Sequence, residues 1–573
     1  MSTHKHIDLI CVILAALTVL ATVLFINGEA FGLERIVDED AEANSGSVWF
    51  TANDMDGEWD SSSATVITLN GSEAHITGGG AYAYNGGVVI SGDGHYVVSG
   101  SLTDGSITVD AKKSSKIWIL LSGVDIYRSD DACLRIDQAD KVFLTLAAGT
   151  ENRMTSGAVY SEEALEDGAD GAIFSHDDLT INGSGSLTVT AEYKHGIAAN
   201  DSLVITGGNI TVSAPKDAIH ANDSFRLREA SVTLKARDDG VSVAGEDGYM
   251  YMESGTLNVI ASEDGIKSTG DITIAGGNIT VDAGDDGIHS DTAIDISGGT
   301  ILIKQCYEGI EAVSISVSGG DITVYPTDDG LNANGGRAFF FPPMGGPGQD
   351  TASNHTQETP RIFISGGAIT VINQTGRDAD GLDSNGDIII TGGDIRISLL
   401  GSGSNSALDY GSESGGVCTI SGGTVIACGS YAMAEGFDVS STQCSILYNI
   451  GAGVEADTQL SLLDSQGNTL LTWAVPCGFS SAVVSTPEMR LGETYTLFVG
   501  DMAEEITFTE TSASFGDVQS TMFGGRMNWG GMGEMEGGSP GGRRGGPGGG
   551  GQGGMGGPGG MDTPPDGGFP PRP

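Results

Sequence analysis

Asp285-Asp286-Gly287-Ile288-His289-Ser290-Asp291 is one member of a series. Close variants stand at Asp238-Asp239-Gly240-Val241, Glu263-Asp264-Gly265-Ile266, Asp328-Asp329-Gly330-Leu331 and Asp378-Ala379-Asp380-Gly381-Leu382. Registered on the residue before the aliphatic, the series runs Gly171, Gly196, Ala218, Gly240, Gly265, Gly287, Gly309, Gly330 and Gly381, at spacings of 25, 22, 22, 25, 22, 22, 21 and 51. The last interval is long because an insert rich in proline and glycine, Gly335 to Pro360, interrupts one unit. So short a period is the signature of a solenoid, in which each unit buries its core on its neighbours.

Within each unit a Gly-Gly turn precedes Ile-Thr-Val or a relative, as at Gly207-Gly208-Asn209-Ile210-Thr211-Val212 and Gly276-Gly277-Asn278-Ile279-Thr280-Val281. A unit is therefore about three short strands and three turns. At about 3.3 Å per strand residue, 22 residues make a circuit of about 70 Å, which suits one coil of a parallel β-helix. A sandwich array would need domains of about 100 residues. A leucine-rich repeat would need its leucine consensus and a convex helix, and neither is present. The expected fold is all-β, a right-handed parallel β-helix over residues 64–440. Alternating segments over 441–515 predict a small antiparallel β domain or cap, with Asp464-Ser465-Gln466-Gly467 as a hairpin turn. Residues 516–573, mostly Gly, Pro and Met, cannot build a core.

The 573 residues carry a net charge of -50. Such a chain repels phosphate, so nucleic acid is excluded as a partner, while cations and neutral surfaces are not. The apolar run from Leu9 to Ile26 is long enough to span a bilayer. It predicts a signal anchor within residues 1–30, with a cleaved signal peptide and a buried helix as alternatives. Either of the first two places the body outside the cell, at the surface, with residues 31–63 as an acidic linker. The seven cysteines show no metal spacing. Cys418 and Cys428, on consecutive strand-like segments, are the candidate pair, and the others read as small core thiols.

Stacking the coils stacks the acids. Before the aligned position stand Asp170, His195, Asp217, Asp239, Asp264, Asp286, Glu308, Asp329 and Asp380. Equivalent residues of successive coils lie about 4.8 Å apart, where two carboxylates repel by about 1 kcal/mol in water and about 3.5 at an effective dielectric near 20. Splaying into solvent, raised pKa values or bound cations relieve this. Oxygen-only donors, with no thiolate and no clustered imidazole, favour Ca²⁺ over transition metals. The competing reading is solvated turn aspartates that bond the local backbone. The candidate ligands are Asp238, Asp239, Glu263, Asp264, Asp285, Asp286, Asp328, Asp329, Asp378 and Asp380. Asp291 and Asp383, past the aliphatic, would complete oxygen shells. Asp238 to Asp286, with two carboxylates on each of three successive coils, is the place to look first.

A second column follows each aliphatic, including His220, Lys267 and His289, which would face outward and contact an acidic sugar. Further on, Asn200, Asn222, Asn334 and Asn385 predict asparagine side chains bonding up the stack. Repetition argues against a unique catalytic centre: there is no Ser-His-Asp signature, and carboxylates are too many to single out a glycosidase pair. Arg237 and Arg377 are the candidates for a lyase base, although as salt-bridge partners of the adjacent ladder acids they would need no catalytic role.

The membrane segment, the Asp-Asp-Gly-Ile and Ser-Gly-Gly-x-Ile-Thr-Val units, Ser445-Ile446-Leu447-Tyr448-Asn449 and the Gly/Met-rich tail together resemble the carbohydrate-binding β-helix proteins of clostridia and their relatives. The resemblance covers about Ala64 to Phe515. It implies a pectate-lyase-like fold, association with cellulose and polygalacturonate, and calcium at the Asp-Asp-Gly positions. His195, Lys194 and Tyr307 depart from the acidic pattern at their coils. The expected function is calcium-dependent binding of plant-type polysaccharide without catalysis. The alternatives are a calcium-dependent pectate-type polysaccharide lyase and a structural adhesion protein whose calcium only rigidifies it.

Overall fold

The computed structural model of the chain describes residues 48–57, 61–334, 359–376 and 378–516. The expected membrane segment, most of the insert, the tail and Arg377 lie outside them. Among the described residues no helix is long and apolar enough to cross a membrane.

The Asp-Gly-Ile units form one face. Strands Ile219–Ala221, Val241–Val243, Ile266–Ser268, Ile288–Ser290, Ile310–Ala312, Leu331–Ala333, Leu382–Ser384 and Leu408–Tyr410 pair in parallel within a 14-stranded sheet, aliphatic on aliphatic. Ile219, Ile266, Ile288, Ile310, Leu331, Leu382 and Leu408 are fully buried. Burial of each contributes about 1.5–3 kcal/mol. The other strands of each coil stack as two further columns, for example Ser224–Leu227 on Ser202–Ile205 and Ser231–Ala236 on Asn209–Ala214. Long strands such as Arg361–Asn373 turn the corner and pair in both columns, joining them as one sheet. The chain is a parallel β-helix of three strands per coil. Leu331 pairs with Leu382 across the insert, so the stack continues in register as though nothing had been added.

The glycine of the repeat is required by what faces it. A methyl group on Gly265 would lie 2.3 Å from Val281 Cγ1 and 2.6 Å from the Gly287 carbonyl oxygen, and one on Gly240 would lie 2.1 Å from Val259 Cγ1. The facing column runs Val212, Leu234, Val259, Val281, Ile303, Val324, Val371, Ile397 and Ala427. Two coils carry alanine in place of the glycine, Ala218 and Ala407. Their register partners are Leu234 and Ala427, neither branched at Cβ. Gly265→Ala is expected to destabilise the protein by about 1–3 kcal/mol through overpacking. The double variant G265A/V281A should lose less than the two single losses added together, as read by thermal unfolding.

At the far end, Ser481–Ser485 pairs antiparallel with Cys418–Gly429, the last long strand, and with Ser445–Asn449. A separate four-stranded antiparallel sheet is built from Thr458–Asp464, Thr469–Val475, Thr494–Val499 and Met502–Thr507. The antiparallel partner occupies an edge that another chain could otherwise extend.

Two expectations are corrected. Cys418 and Cys428 lie on one extended strand, Cys418–Gly429, which holds them far apart, and both are free, buried thiols. Within the expected linker, residues 49–55 are packed structure. Trp49 stacks on Tyr251 at 4.4 Å between ring centroids, and Phe50 is buried against the solenoid. Thr51 caps the short helix Ala52–Met55 through a capping box with Asp54. Asp54, fully buried, pairs with Lys141 Nζ at 2.9 Å and accepts from Thr180 Oγ1 at 2.5 Å. Asn182 and Thr206 donate to the Asp54 carbonyl, and Arg226 donates to the Trp49 carbonyl. This strap crosses several coils. Burial alone would raise the Asp54 pKa, but Lys141 and the bonds from Thr180 and Thr51 outweigh it and hold the carboxyl below its ordinary value.

Candidate functional site

The acids that precede the repeated glycine form a hydrogen-bonded ladder. The backbone N–H of Asp264 donates to Asp239 Oδ1 at 3.1 Å, and that of Asp286 donates to Asp264 Oδ1 at 3.0 Å. Asp380 N–H reaches Asp329 Oδ1 at 2.7 Å, and Ser406 N–H reaches Asp380 Oδ1 at 2.6 Å. One oxygen of Asp239, Asp264, Asp329 and Asp380 is thus committed to the next coil's backbone, the role foreseen for turn aspartates, except that these acids are buried or half-buried and not solvated. Glu308 is longer by a methylene and instead accepts from Asn332 Nδ2 at 2.8 Å.

The other oxygens meet the column that follows each aliphatic, and here the ladder divides. On three of the N-terminal coils this column supplies a basic side chain, Ser242 standing between them on the Asp239 coil. His220 Nδ1 lies 3.0 Å from Asp217 Oδ2, Lys267 Nζ 2.6 Å from Asp264 Oδ2, and His289 Nδ1 3.0 Å from Asp286 Oδ2. Burial opposes charge on His289, yet Asp286, Asp291 and Glu311 push its pKa up to about 12. The three residues expected to reach for an acidic sugar are therefore engaged by the protein's own carboxylates, each by the acid three residues before it.

On the C-terminal coils the column becomes Asn332, Asp383 and Asp409, and among the described residues no cation answers the acids. Ligand oxygens of Glu308, Asp328 and Asp329 converge within 4.8 Å of one another, as do those of Asp380, Asp383 and Asp409. Burial, reinforced by the Glu311 charge, raises the Glu308 pKa to about 8. Burial with Asp383 and Asp328 nearby raises Asp329 to about 8, and burial with Asp329 raises Asp380 to about 9. Asp383 is raised to about 7 by burial and by Asp409. Each three-carboxylate group fits a hard cation that takes six to eight oxygens. In the second group the Asp380 oxygen held by Ser406 leaves five carboxylate oxygens for such an ion.

Of the candidate ligands, Asp239, Asp264, Asp286, Asp329, Asp380 and Asp383 face the ladder, and Asp328 joins the Glu308 group. Glu263, Asp285 and Asp378 are exposed and Asp238 is half-buried, so paired acids do not project to one place. Asp291 is exposed and bonds His289 Nε2 at 3.1 Å. The three coils from Asp238 to Asp286 are the ones already supplied with Lys267 and His289, and the uncompensated charge lies further along. Glu308, Glu311 and Asp409 were missing from the candidate ligands. Asp409 sits in Ser406-Ala407-Leu408-Asp409, a coil that has lost both the acid and the glycine of the motif. Arg237 is exposed. Asparagine side chains do bond from coil to coil, but not to one another's side chains: Asn200 bonds His176, Asn334 bonds Glu311 and Asn385 donates to the Asn334 carbonyl. Imidazoles do cluster, contrary to expectation, because coil stacking brings His195 and His220 to 4.4 Å between ring centroids.

Fold and site together define a parallel β-helix with a buried acid ladder along one turn. A family model described as carbohydrate-binding domain-containing protein matches residues 84–339. A protein of that description from Acetivibrio thermocellus is 41% identical over 192 residues, which is 33% of this chain and 67% of that protein. The chain belongs to this family of carbohydrate-binding domain-containing proteins. A solved structure, the polysaccharide lyase-like protein from C. thermocellum as a gadolinium derivative, is 30% identical; it aligns over 41% of this chain and 96% of that one at a TM-score of 0.40.

Proposed function

We propose that the protein is a non-catalytic, extracellular carbohydrate binder that engages plant-type polysaccharide, cellulose or polygalacturonate, through Ca²⁺ held on the C-terminal half of the ladder. The observation that carries this is the pair of all-oxygen groups without a cationic partner among the described residues, in a chain of a carbohydrate-binding family. Glu308, Asp328 and Asp329 would hold one ion, and Asp380, Asp383 and Asp409 another. A bound ion supplies positive charge and open coordination positions that a sugar carboxylate or hydroxyl can fill. That allows an acidic protein to hold an acidic polymer. Export and surface attachment are assigned to the segment Leu9 to Ile26.

Retention on insoluble cellulose and on immobilised polygalacturonate, with calcium and with chelator, tests this reading. Retention on polygalacturonate in calcium and its loss in chelator are expected, with no ultraviolet absorbance from unsaturated products. Chelator-indifferent retention would remove the calcium bridge, and absorbance from unsaturated products would make the protein a lyase. Calcium-raised thermal stability with no retention on either polymer would leave calcium a purely structural role.

A further inference from the structure

We propose that His195, Asp217 and His220 form a second, chemically different metal site that takes a divalent transition ion of the Zn²⁺ class. Their ligand atoms lie within 4.8 Å of one another. His195 Nδ1 is 3.1 Å from Asp217 Oδ2, and His220 Nδ1 is 3.0 Å from the same oxygen. Bonds of about 2.0–2.1 Å in a tetrahedral zinc centre place neighbouring ligand atoms about 3.3 Å apart, close to this spacing.

A second observation points the same way. His195 is 2% exposed, and its Nδ1, although 3.1 Å from Asp217 Oδ2, is not aligned for a hydrogen bond with it or with any other described residue. A buried ring nitrogen without an aligned hydrogen bond costs free energy that a metal bond would recover. Behind it, Asp170 Oδ2 lies 3.7 Å from His195 Nε2. That is the side on which metal-bound histidines are oriented by a carboxylate. Lys194 and Lys216 approach the cluster, at 3.5 Å from Asp170 Oδ2 and 3.9 Å from Asp217 Oδ2. Both side chains are 46% exposed and free to swing into solvent when an ion enters. Two imidazoles and a carboxylate select zinc-like ions, whereas the all-oxygen groups further along select calcium. One ladder then carries two metal classes, separated by which residue follows the aliphatic.

The test uses the full chain, stripped of metal and held in millimolar Ca²⁺ so that the oxygen groups are occupied. Co²⁺ is titrated while the visible absorption of tetrahedral nitrogen coordination is followed, and Zn²⁺ is then added to displace it. About one equivalent of Co²⁺ is expected to bind. Its affinity should fall at least tenfold in His220→Gln and the signal should vanish in H195Q/H220Q, while H4Q/H6Q in the N-terminal head leaves it unchanged. His220 is half-buried, so H220Q alone carries the test if the buried His195 variant fails to fold. Absence of Co²⁺ absorption in the parent protein, an unchanged titration in H220Q, or a loss that follows His289→Gln would overturn the proposal.

Discussion

Asp380→Asn is expected to raise the melting temperature of the chelated protein at pH 8 by about 5 °C and to abolish most of the calcium-dependent gain. The side-chain oxygen that accepts the Ser406 N–H at 2.6 Å survives in asparagine, so the coil junction is kept while the charge is removed. In the fold the Asp380 carboxyl titrates at about 9, raised by burial and by Asp329, against 3.8 for the ordinary group. A group raised in this way favours the fold fully at pH below the ordinary value. That contribution is lost progressively between about pH 4 and about pH 9. A tenfold displacement of a proton equilibrium is worth about 1.4 kcal/mol, so even a hundredfold displacement costs the ionised fold about 3 kcal/mol. Without metal, stability should therefore decline with rising pH across this window, more shallowly in the variant. Calcium at a hundred times its dissociation constant adds about 2.7 kcal/mol per site and should flatten the decline in the parent. Calorimetry in chelator and in calcium, from pH 5 to 9, reads all of this. A lower melting temperature for D380N in chelator at pH 8 would show that the native carboxylate is not an uncompensated charge. An undiminished calcium gain would place the ion elsewhere.

Asp54→Ala should produce the largest loss of stability. Removing one partner of a buried ion pair leaves the other charge stranded, at a cost of about 3–5 kcal/mol, and Lys141 is only 6% exposed. The bond from the Thr51 N–H to the Asp54 carboxylate, one half of the capping box, is lost as well, while the Thr51 hydroxyl keeps its bond to the backbone N–H of residue 54. The first consequence is release of the strap, seen as faster hydrogen exchange and proteolysis within residues 48–57 and at the outward faces of Thr180, Asn182 and Tyr251. Adding Lys141→Met removes the stranded charge and should recover part of the loss. Unchanged exchange in D54A would mean that Trp49 and Phe50 hold the strap without the ion pair.

What the sequence made legible is what repeats within a coil. The Gly-Gly turn is readable because its second glycine needs a left-handed backbone, with φ of +87° at Gly208 and +93° at Gly277. The aliphatic positions are readable because each must point inward in every coil. The strap was not legible: its partners Lys141, Thr180 and Arg226 are 87 or more residues from Asp54 along the chain, and no local pattern marks them. The site was half legible. Register alone stacks Asp239, Asp264 and Asp286, but whether Lys267 or Asp383 answers a rung depends on the other column, and the two must be read together. His195 looks like an isolated departure from the acidic pattern and His220 like an outward-facing sugar contact until the 25-residue step from one to the other is wound into one turn.

The match between the small residue of the motif and the residue that faces it reaches beyond packing. Gly265 and Val281 belong to the same 22-residue unit, as do Gly381 and Ile397 in theirs, and the exceptions Ala218 with Leu234 and Ala407 with Ala427 are also paired within a unit. Each coil thus carries both halves of its own steric compatibility. A whole unit copied or deleted by recombination brings a matched pair with it, whereas a cut falling between the two halves risks mating a glycine slot to the wrong wall. The protein's length can change in whole turns, and the acid ladder along its edge is a cassette array whose rungs can be added, removed or re-chartered for a different ion one unit at a time.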